Sequence, residues 1–139
     1  MKKILQINSV LNFGSTGRIA EGIGQAAIRH GWESYIAYGR NQRDSQSRAI
    51  KVGNDWDIKF HVLQTRVLDR QGLASNRATN ELVEEIEEIK PDIIHLHNLH
   101  GYYLNFKVLF DCLKCTGIPV VWTFHDCWPI TGHCAYFSF

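Results

Sequence analysis

The chain has no run of about 18 apolar residues, which excludes a helix that crosses a bilayer. It has no excess of either charge: 15 Lys and Arg stand against 14 Asp and Glu, spread along the chain, for a net charge of +1. A nucleic-acid binder normally concentrates basic residues on one face, so that partner class is excluded as an expectation. There is no G-x-G-x-x-G dinucleotide fingerprint and no G-x-x-x-x-G-K phosphate loop. The apolar stretch after Lys2-Lys3 is too short for a secretory signal, so the expected setting is cytoplasmic with reduced thiols. Repeats, linkers and low-complexity tracts are absent as well. What remains is 139 residues, 45% hydrophobic and 21% charged, enough for one domain with a real core.

The four cysteines fall late, at 112, 115, 127 and 134. Cys112 and Cys115 have redox or half-zinc spacing, but they sit near the end of an amphipathic helix, where a free Cys packs as a small hydrophobe.

Strand and helix patterns alternate along the chain. Ile4–Ser9 reads as a buried strand, Asn12–Gly17 as a turn, and Arg18–His30 as a helix ended by Gly31. Ser34–Tyr38 reads as a strand closed by Gly39, and Ile50–Val52 as a short third strand. Trp56, Phe60, Leu63 and Val67 recur at helical spacing, which predicts a helix within 55–70. A loop over 71–76 leads to a helix capped by Thr79, with Leu82, Ile86 and Ile89 inward, five glutamates outward and Pro91 as its stop. Asp92–His97 reads as a buried parallel strand, Leu104–Cys115 as a helix, and Val120–Phe124 as the last strand. This order predicts a Rossmann-like α/β fold: a parallel sheet with helices on both faces and ligands along the carboxyl edge. No covering helix is expected after the last strand, so the domain reads as cut short at Phe139.

Three segments fall on that edge. In Asn12-Phe13-Gly14-Ser15-Thr16-Gly17-Arg18, the glycines permit close backbone approach, and Ser15 or Thr16 can cap the helix or donate to an anion. A plain tight turn is the competing account. In His95-Leu96-His97-Asn98-Leu99-His100-Gly101, two histidines share a strand face, and His97, Asn98 and His100 fall at its carboxyl end. Hydrogen bonding to a polyhydroxylated ligand is the favoured functional use, ahead of metal binding, since no carboxylate lies near in sequence; packing and loop structure are the competing account. In Trp122–Cys134, His125 beside Asp126 suits proton transfer or hydroxyl binding, and Trp128 offers a flat face for a sugar. Cys127, His133 and Cys134 make a partial zinc set that lacks a fourth ligand.

On these segments, with Lys90-Pro91-Asp92-Ile93-Ile94 and Tyr102-Tyr103-Leu104-Asn105 alongside, the chain resembles the N-terminal half of bacterial family 4 glycosyltransferases of the GT-B fold. The likeness is to the subgroup that builds capsular, exopolysaccharide and colanic-acid-type polymers. It spans almost the whole chain. The resemblance implies an acceptor-side domain whose donor-binding partner domain, with its E-x7-E type motif, is absent from these residues. It implies a retaining transfer of a sugar from a nucleotide-sugar to a polysaccharide or lipid-linked acceptor, without a required metal cofactor. Gly14, Ser15, Thr16, Gly17 and Arg18 would lie by the donor's phosphates and sugar, and His125, with Asp126, near the reaction centre. His97, Asn98, His100, Tyr102 and Trp128 would serve the acceptor. Further cysteines after Cys134 are usual in the subgroup and would complete a structural zinc site. Peripheral association with the inner membrane face through a lipid-linked acceptor, and inactivity of these 139 residues alone, are also expected. The competing readings are an NAD(P)-binding oxidoreductase domain, with Arg40 on a 2′-phosphate, and a non-catalytic glycan-binding domain.

Overall fold

A computed structural model describes residues 1–68, 72–132 and 134–136. Five strands form one sheet in the order β3-β2-β1-β4-β5. They are β1 (Lys3–Leu11), β2 (Glu33–Gln42), β3 (Arg48–Lys51), β4 (Ile93–Leu96) and β5 (Val120–Trp122), and every pairing is parallel. Among the described residues there are five helices: α1 (Gly14–Arg29) between β1 and β2, α2 (Asp55–Leu68) and α3 (Asn76–Ile89) both between β3 and β4, α4 (Phe106–Thr116) between β4 and β5, and the single turn α5 (Trp128–Thr131) after β5. The chain builds outward from β1 through β2 to β3, then crosses back to β4 on the other side of β1. The order therefore reverses between β1 and β4, and a crevice opens there at the carboxyl ends of the strands.

The two faces of the sheet differ in chemistry. One carries Leu5, Ile7, Tyr35, Ala37, Ile94 and Leu96, which join Leu82, Ile86 and Ile89 of α3 and Leu109 and Leu113 of α4 in the main core. The other lies under α1 and is mixed: Gln6, Asn8, Ser34, Ser47 and Glu21 are buried there beside a small apolar cluster of Leu11, Ala20, Ile36 and Tyr38. Helix α1 approaches closely because Gly17 and Gly24 face the sheet. A Cβ on Gly17 would sit 3.1 Å from Val10, and one on Gly24 would sit 2.3 Å from Ser47 Oγ.

Several sequence expectations are revised. Helix α1 begins at Gly14, so the supposed turn is its first turn, and neither Ser15 nor Thr16 caps it: Phe13 is the N-cap, without a side-chain bond. Gly39 lies within β2, where Tyr103 packs on its Cα; a Cβ would come 2.3 Å from Tyr103 Cβ. Thr79 is inside α3, not at its start. Its hydroxyl donates to the Ser75 carbonyl at 2.9 Å and accepts from the Asn105 amide at 2.7 Å. Helix α4 starts one residue after Asn105, whose side chain accepts from the Val108 amide.

The largest revision concerns α2. The helix is present as predicted, but the stripe whose spacing marks it is exposed: Trp56, Phe60, Leu63 and Val67 are 76%, 60%, 56% and 68% exposed. The buried residue is His61, which accepts from the Gly72 amide at Nε2 and bonds Ser75 Oγ through Nδ1. Burial holds its pKa below the ordinary histidine value. Among the described residues, no helix is long and apolar enough to cross a membrane.

Candidate active site at the strand ends

Three carboxyl ends converge at the β1/β4 crevice: the β1–α1 junction, the loop after β4 and the loop after β5. Gly14 takes a positive φ of +65° and turns the chain from β1 directly into α1. No acidic residue sits in the first turn of α1, so its free amides keep their positive end uncompensated. Ser15 and Arg18 are exposed beside it and Thr16 is half-buried. Asn8 ties this junction to the loop after β4. Its Nδ2 donates to the Val10 carbonyl at 2.9 Å, and its Oδ1 accepts from the Asn98 amide at 3.3 Å.

His97 is held on every side. Its amide donates to the Ile7 carbonyl at 2.9 Å, and its own carbonyl accepts from Trp122 Nε1 at 3.0 Å. Its ring stacks on His95 with centroids 4.1 Å apart. Nε2 lies 3.0 Å from Gln6 Oε1 and Nδ1 lies 3.0 Å from His125 Nε2. The side chain is 1% exposed, so His97 is a buried support and does not reach an acceptor directly, contrary to the sequence expectation. Burial first, then the neighbouring His95 and His125, push its pKa down to about 3, so the ring is neutral at ordinary pH. His95 bonds Thr123 Oγ1 at 2.8 Å, and burial lowers its pKa too.

His125 and Asp126 diverge instead of acting as a pair. Asp126 Oδ2 takes a 2.7 Å hydrogen bond from His100 Nε2, and its Oδ1 accepts the Trp128 amide at 3.0 Å. The carboxylate thus ties the loop after β4 to the start of α5. His125 turns toward His97 and is half-buried; desolvation lowers its pKa, with Asp126 opposing the shift.

Trp128 departs from expectation as well. It is 7% exposed and packs at 4.6 Å centroid distance against Phe106, so its face is not free for a sugar. Its indole Nε1 is buried without a partner among the described residues. Tyr102 sits in the left-handed region at φ 64° with its ring edge-on to His61, 5.7 Å away. Cys112 is half-buried against the main core, as expected of a small hydrophobe, whereas Cys115 is exposed, contrary to the same expectation. Among the described residues no three His, Cys, Asp or Glu side chains are grouped as metal ligands. The Cys127 amide bonds the Ala135 carbonyl, and His133 lies outside the described residues.

Gln6 and Asn8 were missed by sequence reading. The available signal was a polar residue at every second position of an otherwise apolar central strand. A hollow between β3 and α3 shares no lining residue with this crevice. It is lined by Glu81, Glu84, Glu85 and Glu88, which would repel a phosphate. The crevice is instead an open wall of hydrogen-bonding groups with one positive helix end.

Residues 16–138 match Glycosyltransferase Family 4. The chain is also 32% identical over 146 aligned positions to the putative colanic acid biosynthesis glycosyl transferase WcaC of Escherichia coli K12. That alignment covers 96% of this chain and 35% of the relative, so the chain spans about a third of the relative's length.

Proposed function

The chain belongs to glycosyltransferase family 4, and from that premise we propose that it forms the acceptor-side wall of a GT-B sugar-transfer cleft. The reaction moves a sugar from a nucleotide-sugar to a growing polysaccharide or lipid-linked saccharide, with retention at the anomeric carbon. The cleft works at the cytoplasmic side of the membrane, where a lipid-linked acceptor would bring it to the surface. The observation that carries this reading is the convergence, at one strand-order reversal, of an uncompensated helix N-terminus and a half-buried histidine.

The chemistry follows from the charges involved. Breaking the bond between sugar and diphosphate builds positive charge on the sugar and negative charge on the leaving group. The amides of Ser15, Thr16 and Gly17 at the start of α1 suit the departing phosphates, with Arg18 beside them. Gly17 lets the helix start close against β1, where a Cβ would come 3.1 Å from the Asn12 backbone and from Val10. His125 hydrogen-bonds the transferred sugar, where a fixed partner helps hold the reacting carbon in line. Asn98 and His100 lie on the adjoining loop, in place to contact the acceptor. Asp126 is committed to His100 and Trp128, so its role is to fix that loop and not to act as a nucleophile.

The test is a transfer assay on the intact protein with a panel of nucleotide-sugars and a lipid-linked saccharide. Nucleoside diphosphate release and the anomeric configuration of the product are followed. His125→Ala is expected to lower kcat by about 100-fold, the low end of what losing one hydrogen-bonding group at a reaction centre costs. Absence of sugar transfer with any donor, inversion at the anomeric carbon, or a His125→Ala variant with full kcat would each overturn the reading.

A further inference from the structure

A chain of hydrogen bonds runs across three elements of the sheet's polar face and ends on His125. It starts at the Ala20 carbonyl in α1, which can only accept. Gln6 Nε2 lies 2.8 Å from that oxygen and is buried, so the amide nitrogen must face α1 and the amide oxygen must face β4. The opposite orientation would set two acceptors against each other with no water to separate them. Gln6 Oε1 therefore requires a donor, and the group 3.0 Å away is His97 Nε2. His97 is neutral, so a proton on Nε2 leaves Nδ1 as a bare acceptor. The atom 3.0 Å from that acceptor is His125 Nε2, which must then carry its proton. Each step is dictated by the one before it.

We infer that Gln6 and His97 are positioning residues that lock His125 into its Nε2–H tautomer and leave Nδ1 as an unprotonated acceptor at the crevice. Nδ1 of His125 has no hydrogen-bond partner among the described residues. The ligand group it suits is therefore a donor, a sugar hydroxyl. A sugar oxygen without its hydrogen, such as a ring or glycosidic oxygen, would meet a lone pair. The relay thus selects for a hydroxylated position over its deoxy or O-alkylated counterpart, because losing the donor leaves the histidine acceptor unpaired. This ligand preference rests on the placement of His125 at the transferred sugar; the tautomer itself does not.

The geometry also explains the polar strand centre. Gln6 pairs in register with His95, and His97 follows two residues later on the same face. Replacing Gln6 by an apolar residue would remove the one acceptor that fixes the direction of the whole chain. His97 Nε2 would then have no reason to hold the proton, and His125 would be free to take either tautomer.

The test is a long-range proton–nitrogen correlation spectrum of the full protein, labelled with 15N-histidine, at pH 7.5. Both His97 and His125 are expected to show a protonated Nε2 and an unprotonated Nδ1. Gln6→Leu is expected to move the two nitrogens of His125 toward a common averaged position. A protonated Nδ1 on His125 in the native protein would overturn the inference, as would a His125 pattern unchanged in folded Gln6→Leu. If Gln6→Leu does not fold, the native spectrum alone decides. In the transfer assay Gln6→Leu is expected to lower kcat by about tenfold with less effect on KM, the size typical of losing a partner that orients a working histidine. A locked tautomer together with a kcat indifferent to His125 would sink the sugar-contact reading and leave the relay standing. A kcat that depends on His125 with an unlocked tautomer would do the reverse.

Discussion

The centre of the sheet and helix α2 break the usual rule of burial in opposite directions. Under α1, Gln6, Asn8 and His97 are buried although polar, with exposures of 0%, 0% and 1%. On α2, Trp56, Phe60, Leu63 and Val67 are exposed although apolar. The buried polar groups are tolerable because each is partnered: Gln6 by Ala20 and His97, Asn8 by Val10 and Asn98, His97 by Gln6 and His125. A buried polar atom that loses its partner costs far more than the bond gains when made. An exposed apolar side chain, by contrast, costs the folded chain almost nothing relative to the unfolded one. The first region is therefore fragile to single changes and the second is indifferent to them.

The sharpest way to break that contrast is His97→Ala. It removes a ring that fills space beside His95 and strips the partner from Gln6 Oε1 and from His125 Nε2. The cavity and the orphaned acceptor together are expected to cost about 4 kcal/mol. Urea denaturation measures this directly. A loss under about 1 kcal/mol, of the size a surface change gives, would show that the polar centre is not held as described.

Acid attacks the same region by another route. In the unfolded chain His97 takes up a proton with the ordinary histidine pKa of about 6.5, whereas in the fold its pKa falls to about 3. Below pH 6.5 the unfolded state thus binds more protons, and stability falls as pH falls. This contribution is whole above pH 6.5 and drains away toward pH 3, by about 2 kcal/mol from His97 at pH 5. His61, His95 and His125 have pKa values shifted in the same direction, mainly by burial, and add to the loss. Urea midpoints at pH 7.5 and pH 5.0 are the comparison. Equal or greater stability at pH 5.0 would contradict a neutral, buried His97.

The difference between the two regions also explains what was legible in the sequence. Strand β4 announces itself by its apolar residues, β1 by apolar residues set around Gln6 and Asn8, and α3 by Leu82, Ile86 and Ile89 against its outward glutamates, because these patterns are local. The stripe on α2 predicted a helix correctly, but periodicity cannot say which side another element covers. The first turn of α1 was hidden by Gly14 and Gly17, which look like turn residues and in fact open the helix and seat it against β1. Gly39 looked like a strand end because its actual reason, the ring of Tyr103, lies far along the chain. The residues read as lying at the strand ends do lie there, since parallel order alone puts them on one edge. Their internal arrangement was not. The link from Gln6 to His97 spans 91 positions and depends on register between β1 and β4, which no local pattern encodes. Likewise His125 and Asp126 are neighbours in sequence, yet one turns to β4 and the other to His100.

The smallest expected effect is on the exposed stripe and sharpens the comparison from its other side. Trp56→Ser combined with Phe60→Ser should change folding stability by no more than about 0.5 kcal/mol. Neither side chain belongs to the core clusters, and both are mostly exposed. Serine has nearly the helix propensity of tryptophan and phenylalanine, so the backbone of α2 is not penalised. Among the described residues, the ring contact given up is Lys59 over the Trp56 ring at 4.8 Å, and at an exposed site such a contact is worth about 0.5 kcal/mol. Leu82→Ala on α3 is the matched control: that side chain is 2% exposed within the main core, and its truncation should cost about 3 kcal/mol. Both variants are apolar-to-small changes on amphipathic helices of this chain, each of 14 residues. If the α2 pair cost as much as Leu82→Ala, the stripe would have to be packed in the folded protein. The contrast between a partnered polar centre and an uncovered apolar helix would then be wrong on the helix side.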